Sequence, residues 1–119
     1  MKNKNVKVIR KVGEINWWNI NIKLATSYFE RTLGLMGKSG PLTFGLWIMP
    51  GPSIHTCFMR VNIDVIFLDK DYKILKIIRS MKPWRMTLYY YNAKSVLELP
   101  GGFLNSELKV GDKLEFADV

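Results

Sequence analysis

The residues best equipped for chemistry crowd into one stretch, His55-Thr56-Cys57-Phe58-Met59-Arg60-Val61-Asn62-Ile63-Asp64-Val65-Ile66-Phe67-Leu68-Asp69. An imidazole, a thiol, a thioether, a guanidinium and a carboxylate fall within ten positions of a run dense enough in Val, Ile and Phe to be a buried strand. Polar groups drawn into such a strand cost roughly 1 to 3 kcal/mol each unless they find partners. In an extended chain His55, Cys57 and Met59 project to one side, and Arg60, Asn62 and Asp64 to the other. The first set suggests a soft metal site or a Cys–His nucleophilic pair. Same-face neighbours on one strand stand roughly 6 to 7 Å apart, too far for a nucleophile to bond its base directly. His55 is the only histidine and Cys57 the only cysteine, so the usual zinc ligand sets are not available. Packing of the thiol and thioether as small hydrophobes is the weightier reading, and neither metal nor cofactor is expected.

Arg60 and Asp64, joined by Arg31 and Glu98, form the better constellation. A guanidinium suits bidentate capture of a carboxylate or phosphate. Functionally, these four residues with His55 and Met59 would edge a cleft for an anionic ligand. Structurally, Arg60–Asp64 and Arg31–Glu98 would be buried ion pairs bracing the fold. The residue types allow both, and the structural reading carries more weight.

Elements to position these groups can be read along the chain. Val6 to Val12 reads as a strand ended by Gly13, and Asn16 to Ala25 alternates apolar and polar side chains with the period of a half-buried strand. Ser27 with Glu30 makes a capping box, and Phe29, Leu33 and Met36 share a helical face, so a helix spans about 28–36, closed by Gly37. Gly34 inside it marks a close contact. Phe44 to Met49 reads as a strand stopped by Pro50-Gly51-Pro52. The chemistry-rich strand turns through Asp69-Lys70-Asp71-Tyr72 into Lys73 to Ile78 as a hairpin. Arg79 to Met86 is irregular. Ser95 to Leu99 is a strand ended by the turn Pro100-Gly101-Gly102, a short second helical turn covers 103–107, and Val110-Gly111-Asp112 leads into Lys113 to Phe116. The class is mainly β: a small barrel-like or strongly curved sheet of six to eight short strands, since closure removes exposed edges.

At 119 residues the chain is expected to be a single domain, 1–119. With 48% hydrophobic residues it has ample material for a core. No apolar run reaches the ~18 residues of a membrane helix, and the basic start leads into no signal-peptide pattern. One cysteine fits a reducing cytoplasm. The net charge is +8, concentrated in residues 1 to 38, where eight Lys/Arg meet Glu14 and Glu30. That imbalance could serve nucleic acid, but no recognition motif accompanies it, so nucleic acid is not favoured. Trp17-Trp18 and Tyr89-Tyr90-Tyr91 must each turn at least one ring outward, beside Lys23, Lys82 and Arg85, as a stacking platform or as packing at a barrel rim.

Five segments together resemble the signature of the DUF192 family of small prokaryotic proteins. They are Arg31-Thr32-Leu33-Gly34-Leu35-Met36, Ile54 to Arg60, Ile63 to Asp69, Val96-Leu97-Glu98-Leu99-Pro100 with Gly102, and Val110-Gly111-Asp112. The resemblance implies a compact, mainly β domain whose biochemical function is unassigned. This chain departs from it where the family usually has glycine at Tyr72, often proline at Asn62, and a small residue such as alanine at Gly101. A tyrosine forced to φ > 0 would be strained.

The reading that results is a cytoplasmic, monomeric binding domain for an anionic small molecule or a protein partner. The alternatives are an enzyme of hydrolase or lyase type using His55 and Asp64, and a nucleic-acid-binding barrel using the basic N-terminal third.

Overall fold

The computed structural model describes residues 6–25, 43–49 and 61–119. They contain β1 (Val6–Lys11), β2 (Asn21–Ala25), β3 (Phe44–Ile48), β4 (Ile63–Leu68), β5 (Ile74–Met81), β6 (Ser95–Pro100) and β7 (Leu114–Asp118). These form one mixed sheet in the order β5-β4-β6-β3-β2-β1-β7. Only β2 and β3 run parallel; the other neighbours are antiparallel. The mainly β class and the strand number agree with the sequence.

Every strand places side chains into a single cluster, Ile9, Ile22, Trp47, Ile66, Leu68, Ile74, Leu97, Leu99 and Leu114 among them. One face of a seven-stranded sheet can share one cluster only if the sheet curls around it. The curl brings the two edge strands together at one corner, where Lys73 and Lys113 bridge, Ile74 donates its N–H to Asp112 O and Leu114 donates to Tyr72 O. No ladder follows from that bridge. The expected barrel is therefore corrected to a strongly curved, open sheet. Bulges in the β4–β5 ladder help bend this edge.

The outer face of the central strands is also apolar. Leu46, Ile48, Ile63, Val65, Phe67 and Val96 make a second cluster there. Strands buried on both sides read as near-continuous apolar runs, as β4 does apart from Asp64. Gly45 lets these layers approach. A Cβ there would come within 2.7 Å of Ile22 Cδ1 and 2.9 Å of the Glu98 carbonyl oxygen.

The hairpin turn forms as expected, with Asp69 Oδ1 accepting the N–H groups of Asp71 and Lys73. Tyr72 takes φ +64°, the left-handed conformation that disfavours a side chain. Its ring packs edge-on against Trp47 and Phe116, which stack on each other at 3.8 Å. The aromatic contacts offset the backbone strain. The helical turn expected over 103–107 is absent. Asn105 Oδ1 instead accepts from Glu107 and Leu108 N–H groups, an Asx turn that competes with helix. The helix expected at 28–36, with Arg31, Gly34 and Gly37, lies outside the described residues, as do His55, Cys57, Met59 and Arg60.

Candidate functional site

Two buried carboxyls dominate the described part of the expected cleft, and each is built differently. Asp64 sits in β4 with 1% of its surface exposed. Its neighbours pair as Ile63 with Met81 and Val65 with Ile78, so one β4 residue faces two on β5, a bulge. Ser80 sits in that bulge at φ +50°, outside the regular ladder, and donates its N–H to Asp64 Oδ1 at 2.8 Å. The turn after β6 supplies the other donors. Phe103 N–H bonds Pro100 O while Gly102 adopts φ +83°, the geometry of a type II turn with glycine where φ must be positive. Gly102 N–H then reaches Asp64 Oδ1 at 3.0 Å and Leu104 N–H reaches Oδ2 at 2.9 Å. One side chain thus satisfies three backbone donors from two elements. It is a brace.

Glu98 lies in β6 directly between Leu46 of β3 and Val65 of β4, both in the outer cluster. Among the described residues no hydrogen bond or ion pair reaches its carboxyl. Burial in this apolar setting pushes it up from 4.5 to about 8, so it is largely protonated at neutral pH. Asp64 faces the inner cluster with Ile66 and Leu68, whereas Glu98 faces outward with Val96. The grouping of both in one cleft is therefore corrected: they stand on opposite faces of the sheet. Among the described residues no three His, Cys, Asp or Glu side chains converge for a metal.

Pro100 and Gly102 make the turn that holds Asp64, and Gly111 (φ +96°) makes the turn before β7. Gly101 and Asn62 touch: Gly101 N–H bonds Asn62 O at 3.1 Å, and a Cβ at Gly101 would come within 2.8 Å of that oxygen.

The basic residues distribute in space quite unlike their distribution in sequence. On β1, Lys7 pairs with Asp118, Arg10 with Glu115, and Lys11 with Asp112. Residues 72–97, by contrast, hold six Lys/Arg and no Asp or Glu. Tyr90 packs on Phe67 at 4.5 Å, while Tyr89 and Tyr91 are 69% and 83% exposed. Trp84, Met86 and Leu88 are exposed beside them. Trp18 packs on Phe103, and Trp17 is partly exposed beneath the Arg10 guanidinium. Sequence reading treated part of this strip as irregular and gave the tyrosines either as a stacking platform or as packing at a barrel rim.

Comparison with known proteins decides the family. The model of DUF192, an uncharacterized ACR, matches residues 9–116. The chain belongs to the DUF192 family. A UPF0127 protein of Pyrococcus horikoshii is 34% identical over 105 residues, covering 83% of this chain and 90% of the relative. A UPF0127 protein of Pyrococcus furiosus is 33% identical, with 82% and 87% covered. Among solved structures, a candidate transcription regulator from Sinorhizobium meliloti superposes with a TM-score of 0.78 at 20% identity, covering 97% of this chain and 95% of that one. A protein of unknown function from Novosphingobium aromaticivorans gives 0.71 at 22% identity, covering 92% and 82%. These structures share the fold. No helix among the described residues is long and apolar enough to cross a membrane.

Proposed function

We propose that this DUF192 member is a cytoplasmic binding domain that takes an anionic small molecule or a protein partner at a cleft edged by Arg31, His55, Met59 and Arg60. One observation carries the reading: Asp64 is satisfied by three backbone N–H groups. A buried carboxylate so held does not depend on a guanidinium for its hydrogen bonds, which supports a ligand role for Arg60 over a bracing one. The same observation weighs against a hydrolase or lyase using His55 with Asp64. A carboxylate closed from solvent and occupied by three amide donors has no route to pass a proton to a substrate.

The test uses Arg60→Gln and Arg31→Gln in the full chain, with inorganic phosphate and succinate as probes. Both variants are expected to unfold within about 1 kcal/mol of the parent. Either anion should raise the melting temperature of the parent and not that of the variants. A loss of roughly 3 kcal/mol or more on removing either guanidinium would make it a brace and overturn the reading.

A further inference from the structure

We propose a second binding site, on the inner face of the sheet at Trp47 and Ser95. It takes a small uncharged molecule that carries a carbonyl oxygen on a compact apolar body. Two orphaned polar groups are the first observation. Trp47 Nε1 and Ser95 Oγ are buried, and neither meets a hydrogen-bond partner among the described residues. The two residues are 4% and 2% exposed. Folded chains pair nearly every such group, so two left over on one face ask for an acceptor. Trp47 of β3 pairs with Leu97 of β6, and Ser95 lies two residues from Leu97 in a regular ladder. Both side chains therefore rise from the same face, one diagonal step and roughly 7 to 8 Å apart.

The chemistry of the pair selects the ligand. An indole N–H can only donate, a hydroxyl can donate, and a carbonyl oxygen has two lone pairs to accept from both. A carboxylate would strand its charge among Leu24, Leu68 and Leu97, the neighbours on paired strands, at a heavy desolvation cost. The aromatic trio is the second observation, and it supplies the entrance. Tyr72 is its outermost ring, 39% exposed and edge-on to Trp47 and Phe116 at 5.4 and 5.3 Å. Its backbone is pinned, donating to Asp69 O and accepting from Leu114 N–H, in the strained left-handed conformation. Strained residues of this kind gather at ligand clamps. A turn about χ1 moves the ring alone, a motion that exposed side chains make within nanoseconds. The place it leaves is that of one six-membered ring against Trp47. A cyclic ketone of that size rests its body on Trp47 and Phe116 and turns its oxygen to the indole and the hydroxyl.

The experiment is a proton–nitrogen NMR titration of the full chain with cyclohexanone. Methylenecyclohexane and cyclohexanecarboxylate serve as the oxygen-free and the charged control. The Trp47 indole N–H, one of four such signals, is assigned through its contacts with the Phe116 ring. Cyclohexanone should move that signal downfield and saturate it, as an orphaned donor gains its acceptor. Ser95→Ala should weaken binding about fivefold, the share of one neutral hydrogen bond. Without ligand the same variant should melt above the parent, because a buried hydroxyl lacking a partner has gone. Tyr72→Gly, which suits the positive φ, should bind more tightly, since no ring has to be displaced. A Trp47 signal that does not move would overturn the proposal. So would equal binding of either control, parental affinity in Ser95→Ala, or weaker binding in Tyr72→Gly. A lower melting temperature for Ser95→Ala would mark a trapped water already serving both groups, and would overturn it too. None of these outcomes bears on the Arg31/Arg60 cleft, whose probes are small anions.

Discussion

Replacing Asp64 tests how much of the fold hangs on one carboxylate. In Asp64→Ala three N–H groups, those of Ser80, Gly102 and Leu104, lose their acceptor at a site that is 1% exposed. A stranded buried donor costs about 1 to 3 kcal/mol, so three cost roughly 3 to 9 if nothing relaxes. The turn at Pro100–Phe103 lies at the surface and can admit water, which places the expected loss near the lower half of that range, about 4 kcal/mol. A domain of this size has only about 5 to 15 kcal/mol in all. Asp64→Asn separates charge from shape. Its carbonyl can still accept from Ser80 and Gly102, but its amide would meet Leu104 N–H donor to donor, for a loss of about 2 kcal/mol. Urea unfolding followed by tryptophan fluorescence measures both, with ΔΔG read from the midpoint at constant slope. If alanine at position 64 unfolds within 1 kcal/mol of the parent, the account of Asp64 as a three-donor brace is wrong.

Glu98 should give the protein a pH dependence of unusual sign. Its folded carboxyl titrates near 8 and its unfolded one near 4.5, so the folded state holds the extra proton between those values. Stability is then full below about pH 4.5 and falls as pH rises toward 8, by up to about 4 kcal/mol. Glu98→Gln should abolish this slope and exceed the parent in stability at pH 8; urea midpoints at pH 5, 6.5 and 8 check it, and a parent curve flat over that range refutes it. Gly45→Ala should destabilise by roughly 2 kcal/mol, because the new methyl meets the rigid Glu98 carbonyl as well as two side chains. Among the adjacent tyrosines, Tyr90→Ala should cost about 2 to 3 kcal/mol through its contact with Phe67, while Tyr89→Ala and Tyr91→Ala stay within about 0.5 kcal/mol; thermal melts distinguish them.

Much of the sheet was legible because its strands announce themselves. β4 is an apolar run broken only by Asp64 and β2 alternates, and both patterns survive in the structure. The turn at Asp69–Tyr72 was legible for a similar reason, since Asp69 supplies the side-chain acceptor that such turns use. Barrel closure was not legible: whether the edge strands pair depends on curvature set by bulges, which no local pattern encodes. The residues 103–107 were misread because helical propensity ignores an Asn whose side chain captures two amides. The grouping of Asp64 with Glu98 failed for a different reason. Which face a residue occupies depends on register between strands, and Asp64 pairs across from Leu99, one position beyond Glu98. The charge asymmetry misled because counting along the chain cannot see β7 laying its acids against β1.

That last pairing has a consequence for chain growth. Lys7 and Asp118 lie 111 positions apart yet side by side. Until β7 leaves the ribosome, the edge of β1 that it covers has no partner and is a template for any other extended chain nearby. Lysines along that strand discourage such pairing while synthesis continues. Lys7, Arg10 and Lys11 are neutralised only when Asp118, Glu115 and Asp112 come to lie against them.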